Sequence, residues 1–296
     1  MKAHKASKTA QYMALFRAVE TARGRNRPLF QDPYARRFLS RDLRMVASLS
    51  SLPVGRELIP WLIQKKSPGA LSSGVARTRY IDDLLEETVR GGARQIIILG
   101  AGFDARGLRL DFLRNTEVIE IDHPDTSQFK IERLTSIMGK LPGNISYRQA
   151  DFNEQSMEEI GAASNVDYGK ATTIVWEGVT NYISPRAVDA TFRWTERFSR
   201  VDVIFTYLDK RVLDHPEEFV GTRKILKYTR DREEPWTFGF VPGELADYLG
   251  GYCLGLVHNV SAVEYRSTYM AHRTGTKGYE FYRVALARSR EMKGEA

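Results

Sequence analysis

Arg94–Pro124 reads RQIIILGAGFDARGLRLDFLRNTEVIEIDHP, and strand, glycine turn, helix and second strand follow one another there with almost no slack. Ile96, Ile97, Ile98 and Leu99 form a continuous apolar, β-branched run, the pattern of a parallel strand buried on both faces. Gly100-Ala101-Gly102 then turns the chain, and glycine there lets backbone approach a ligand with no Cβ in the way. Asp104 is the expected N-cap of a helix running to about Phe112. The second strand, Glu117 to Ile121, ends at Asp122.

An acid at the end of a second strand, about 20 residues after the glycines, is where nucleotide-binding folds of this kind grip a ribose. Asp122 is therefore the expected ribose ligand. The glycine spacing alone suits NAD, FAD or S-adenosylmethionine equally. Asp104 tips the choice, because a carboxylate at that helix start would repel the pyrophosphate of a dinucleotide, whereas S-adenosylmethionine carries no phosphate.

Strand patterns recur at Ile145–Gln149, Ala171–Trp176, Val201–Tyr207, Leu254–Val260 and Tyr279–Ala287, with helical patterns between most of them. That alternation predicts an α/β, Rossmann-like, doubly wound sheet of seven strands, mostly parallel with an antiparallel pairing at the edge. One domain is expected over residues 1–296, comprising a helical N-terminal cap (1–74), a cofactor-binding core (75–208), a charged lid insertion (209–241) and the C-terminal part of the sheet (242–296). Within the cap, residues 9 to 23 carry helical spacing, whereas Ser48 to Gly74, rich in Ser, Pro and Gly and broken by Pro60, reads as irregular connection and a mobile flap. Tyr80 to Arg90 reads as a helix with a buried stripe of Ile81, Leu84, Leu85 and Val89.

No apolar run approaches the roughly 18 residues of a membrane span, and no metal-ligand cluster stands out. The single cysteine, Cys253, excludes an internal disulfide and is expected to be a buried strand residue in a reducing, cytoplasmic protein. Net charge is +7, yet residues 1–44 hold eleven bases and three acids, leaving −1 for the remainder. That distribution argues against nucleic acid as a partner and reads the basic start as a solvated face, with no membrane partner.

The chain resembles the leucine carboxyl methyltransferase family, a branch of the class I S-adenosylmethionine-dependent methyltransferases. The resemblance rests on Ala76-Arg77-Thr78-Arg79-Tyr80-Ile81-Asp82, on QIIILGAGFDAR with Arg109-Leu110, on VIEIDHP followed by Lys130, on Asp151-Phe152, on WEGVTNYIS from Trp176, and on Pro235-Trp236-Thr237-Phe238-Gly239. It implies S-adenosyl-L-methionine as cofactor, with Arg77 on its carboxylate and Gly100 and Gly102 along its methionine part. It further implies Asp122 on the ribose, Asp151 on the adenine amino group, Phe152 on the ring and Glu177 near the amine. The implied reaction is O-methylation of a carboxylate or hydroxyl of a small molecule. Tyr182, His123 and Tyr207 are the residues to watch on the acceptor side. An NAD-dependent oxidoreductase and a protein C-terminal carboxyl methyltransferase are the competing readings. The acids at three successive strand ends have no neighbouring base in sequence to neutralise them.

Overall fold

A computed structural model describes residues 8–24, 28–152, 154–231, 234–271 and 277–290. Lys2, Lys5, Arg25 and Arg27 of the basic start, and the tail beyond residue 290, lie outside the described residues. The strands are β1 (Gln95–Leu99), β2 (Glu117–Asp122), β3 (Ile145–Gln149), β4 (Thr172–Trp176), β5 (Val201–Leu208), β6 (Leu254–Ser261) and β7 (Tyr282–Ser289). The helices are α1 (Lys8–Thr21), α2 (Arg41–Leu49), α3 (Pro53–Lys66), α4 (Ala70–Arg90), α5 (Arg106–Arg109), α6 (Pro124–Met138), α7 (Met157–Ala163), α8 (Pro185–Thr195), α9 (Arg211–Asp214), α10 (Thr222–Arg230), α11 (Leu245–Gly250) and α12 (Ala262–Met270).

All strands join one sheet in the order β3-β2-β1-β4-β5-β7-β6. β1 to β5 are parallel, and β7 slots antiparallel between β5 and β6, so the antiparallel pairings end the sheet. The order reverses between β1 and β4, which opens a crevice beyond their carboxyl ends. Alternation along each strand splits the core in two. Ile96, Ile98, Val118, Val175, Ile204 and Val284 join one apolar cluster; Ile97, Leu99, Ile119, Ile174, Trp176, Phe205 and Tyr207 join the other.

The cap differs from its sequence reading. Ser48–Gly74 is not an irregular flap but the end of α2, all of α3 and the start of α4. Pro60 sits inside α3. Its local cost is absorbed because Ile59 and Ile63, on the inward face, pack into the apolar clusters, and tertiary burial outweighs a local penalty of that kind. Helix α4 begins about ten residues before the predicted Tyr80 start. Gly74 permits this: a Cβ there would stand 2.9 Å from the Phe16 ring of α1. Cys253 is exposed in the turn before β6, with positive φ, rather than buried in the strand. The sequence reading also placed no helix between the last two strands, where α12 lies against α4.

Candidate functional site

Gly100 and Gly102 leave β1 with φ of +65° and +48°, a backbone that glycine adopts freely. A Cβ on Gly100 would overlap the Val179 side chain, and one on Gly102 would lie 3.3 Å from Ala10 of α1. The Gly102 N–H donates to Asp122 Oδ2, and the His123 N–H donates to Oδ1 at 2.7 Å. Burial pushes the Asp122 carboxyl above its ordinary value, against the pull of these two N–H groups. Asp122 is thus a partly buried acceptor fixed at the rim of the glycine turn.

Helix α5 is one turn long, and Asp104 is not its N-cap; Ala105 holds that place. Asp104 instead accepts from the Arg106 N–H at 2.7 Å and pairs with the Arg106 guanidinium. Burial alone would raise the Asp104 carboxyl, but Arg106 and Lys130 hold it down at about 2. Arg106 also donates to Asp82 at 2.8 Å and meets Glu177 Oε2 at 2.8 Å. Arg77 on α4 donates through Nε to Glu177 Oε1 at 2.8 Å, and its guanidinium lies 4.4 Å from the Tyr282 ring centroid. Arg109 completes the group on Asp82. Burial would raise Glu177, yet Arg106 and Arg77 keep it below its ordinary value.

Two expectations change here. The acids at the strand ends are not uncompensated: Arg106 and Arg77 neutralise Glu177, and two backbone N–H groups serve Asp122. Asp104 cannot by itself repel a phosphate, because Arg106 cancels its charge. The stronger argument against a pyrophosphate is that α5, with four residues, has almost no macrodipole to offer. Arg106, the central cation, stands in the GAGFDAR stretch, but nothing in its spacing marks it as the hub.

A cavity of about 760 Å³ runs from this turn towards the cap and lid, lined by Arg77, Gly100, Gly102, Asp122, His123, Glu177 and Tyr182 among others. Its far half is apolar and aromatic, with Tyr12, Phe16, Ile63, Tyr228, Trp236 and Tyr279, and has Lys66 and Lys224 at its edge. Helix α1 and the 209–241 segment, the expected lid, meet through Thr9 with Glu234 and through Tyr12 with Tyr228, whose ring centroids are 6.1 Å apart.

Not every expected residue reaches the cavity. Tyr207 is fully buried in the opposite apolar cluster, and its hydroxyl donates to Asn259 at 2.8 Å. As an odd-numbered residue of β5 it shares its sheet face with Phe205 and Val203, away from the cavity. Asp151 and Phe152 follow β3 and are not among the lining residues; Asp151 lies 3.7 Å from His123 Nε2, and Phe152 packs against the second apolar cluster. His123 lines the cavity but caps α6, its Nδ1 accepting from the Asp125 N–H at 3.3 Å. Lys130 pairs with buried Glu120 beneath β2. Burial pushes the Tyr182 phenol up to about 12.

Comparison with known proteins follows the same outline. A "putative methyltransferase" structure from Thermobifida fusca YX superposes with a TM-score of 0.57 at 16% identity, covering 83% of this chain and 94% of that one. A DUF574 family protein from Streptomyces avermitilis MA-4680 gives 0.57 at 13% identity, covering 83% and 96%. Both likenesses speak for the fold alone. Among curated relatives, a protein of Mycobacterium avium strain 104 named as a candidate S-adenosyl-L-methionine-dependent methyltransferase is 30% identical over 185 residues, 61% of this chain and 57% of the relative. One of the same name from Mycolicibacterium gilvum strain PYR-GCK is 34% identical over 190 residues, 62% and 59%. The chain therefore spans less than two thirds of the length of these relatives. The family described as Leucine carboxyl methyltransferase matches residues 10–196, from α1 through the glycine turn and Glu177 to the end of α8. With more than half its length so matched, the chain belongs to the leucine carboxyl methyltransferase family.

Proposed function

We propose that the chain is an S-adenosyl-L-methionine-dependent O-methyltransferase whose acceptor is the carboxylate of a small, largely apolar acid. The observation that carries this reading is the cavity itself. One end is a backbone glycine turn with a fixed acceptor, Asp122, and the other is aromatic and roofed by α1 and the lid. The fit to the cofactor rests on that polar end. Asp122 is buried enough to want donors, which ribose hydroxyls supply. The single-turn α5 suits a ligand without phosphate. Gly100 and Gly102 would border its methionine part, with Arg77 and Glu177 at the carboxylate and amine. Asp151, 3.7 Å from His123 Nε2, and Phe152 after it would serve the adenine amino group and ring.

When bound, S-adenosylmethionine would supply an electrophilic methyl group for an acceptor oxygen, its S–CH3 bond breaking and S-adenosylhomocysteine leaving. What the protein contributes is position and exclusion of water. Four lining side chains that could take a proton are already engaged. Tyr182 keeps its proton to about pH 12, His123 Nδ1 holds the Asp125 N–H, Glu177 is bound to two arginines, and Glu234 is bound to Thr9. A nucleophile already ionised at neutral pH fits such a site, and a carboxylate is one. Lys66 and Lys224 at the rim favour the entry of an anion. The roof formed by α1 and the lid favours a small molecule over a polypeptide terminus.

Calorimetric titration of the full chain with S-adenosylhomocysteine, with NADH as control, tests the cofactor. Micromolar binding, about −8 kcal/mol, is expected, weakened by about 1–3 kcal/mol in Asp122→Ala, the cost of unpaired hydrogen-bonding groups. Heat with NADH and none with S-adenosylhomocysteine would sink the reading. Turnover with methyl-labelled cofactor on a panel of aromatic and aliphatic acids and matched phenols tests the acceptor. A base-labile methyl ester is the expected product, and turnover of phenols alone would remove the carboxylate.

A further inference from the structure

Helix α3 is apolar on two sides. Ile59 and Ile63 face inward, while Val54, Leu58, Trp61 and Leu62 occupy the outer face at helical spacing, with Val54 76% and Trp61 55% exposed. Met45 in the middle and Leu49 at the end of α2, and Leu52 in the turn before α3, are exposed apolar side chains as well. A helix hydrophobic on both sides ordinarily has both covered, and an apolar area of this kind on a surface marks something it meets.

The charges nearby identify what that is. From Arg36 to Lys66 the chain holds seven bases and two acids, a net of +5. Arg36 reaches across to Ser48 of α2, so the preceding turn is part of the same surface. Lys65 stands over the Trp61 ring at 5.2 Å, an ammonium beside an indole at the helix end. A tryptophan and lysines bordering exposed aliphatic side chains is the composition of a helix lying in a lipid–water interface. A second copy of the chain is a poorer occupant, since a two-fold contact would set one +5 surface against its equal.

We infer that the outer face of α2 and α3 docks on an anionic phospholipid bilayer, its aliphatic side chains entering the acyl boundary and its basic residues meeting the headgroups. The docked helix ends at the cavity: Ile63, Lys66, Ser67 and Pro68 are lining residues. A docked molecule therefore presents the cavity rim to the membrane, so that an apolar acid could pass from lipid to cavity without crossing bulk water. Docking itself does not depend on the methyltransferase reading.

The test is co-sedimentation of the full chain with vesicles of phosphatidylcholine alone and of equal parts phosphatidylcholine and phosphatidylglycerol, with light scattering of the lipid-free protein alongside. Partition onto the anionic vesicles is expected, reversed by high salt and accompanied by a blue shift in tryptophan emission that Trp61→Phe abolishes. Val54→Glu with Leu58→Glu should reduce partition by at least about tenfold. Both side chains are exposed, so the melting temperature and S-adenosylhomocysteine binding should stay unchanged and show the rest of the molecule intact. No partition onto either vesicle, or equal partition of the double variant, overturns the inference. So does a lipid-free dimer that the double variant splits while vesicles bind neither protein, which would assign the face to a second copy.

Discussion

The two ends of the cavity are built on opposite plans. At the glycine-turn end, charges meet at close range and cancel: Arg77, Arg106 and Arg109 against Asp82, Asp104 and Glu177, joined by contacts of about 2.8 Å and by the Arg106–Asp104 pair. At the far end, aromatic and aliphatic side chains from α1, α3 and the 209–241 segment enclose most of the space, with Thr9, Glu234, Lys66 and Lys224 among its polar fixtures. In the proposed reading the ion-paired end holds the cofactor, which calls for groups that cannot drift, and the aromatic end takes the acceptor, where shape can vary while the anchored end stays as it is.

Removing the hub of the polar end should have the largest effect. Arg106→Ala leaves Asp104 and Glu177 without their shared cation in a buried site, a loss on the order of 3–5 kcal/mol, read as a fall in the urea midpoint. A shift worth less than about 1 kcal/mol would mean the cluster is solvated and the contrast between the two ends is false.

Acid sharpens the same contrast. The Asp104 carboxyl, held at about 2 against an ordinary 3.8, contributes stability that is fully present above 3.8 and lost as pH falls towards 2. Glu177 is shifted in the same direction. Asp104 alone corresponds to about 2 kcal/mol, so urea unfolding followed from pH 5 to pH 2 should weaken, by an amount that the raised carboxyls of Glu120 and Asp122 partly offset. In Asp104→Asn the slope over this window should flatten; an unaltered slope would place the acid sensitivity elsewhere.

The aromatic end should yield least. Tyr182→Phe removes a hydroxyl that stays protonated at any working pH, so turnover should fall less than about tenfold, against the 10² or more expected on losing a general base. A larger loss with unchanged cofactor affinity would make the phenol part of the chemistry.

Sequence alone disclosed the polar end better than the apolar one, for a physical reason. Strand, glycine turn and Asp122 follow in order, so Gly100, Gly102 and Asp122 could be placed from spacing, and β1, β2, β4 and β5 show themselves as runs rich in β-branched residues. Arg106 was hidden because its meaning lies in Asp82 and Glu177, which are distant along the chain and adjacent only after folding. Tyr207 was misplaced because the end of a strand does not say which face a side chain takes. Helix α3 was obscured by Pro60, whose penalty is local while its compensation is tertiary. Helix α12 announced itself by Ser261-Ala-Val-Glu264, a capping box present in the structure, but its buried face includes Arg266, so no clean apolar stripe marks it.

The strand order has a consequence for synthesis. β7 lies between β5 and β6 and pairs with both, yet it follows both along the chain. Until Tyr282–Ser289 has emerged from the ribosome, β5 has no β7 to pair with, and an uncovered strand of that kind is a template for wrong partners. The glycine turn and Glu177 precede β7 in synthesis, while the sheet that supports them, and the Tyr282 ring beside Arg77, arrive only with β7.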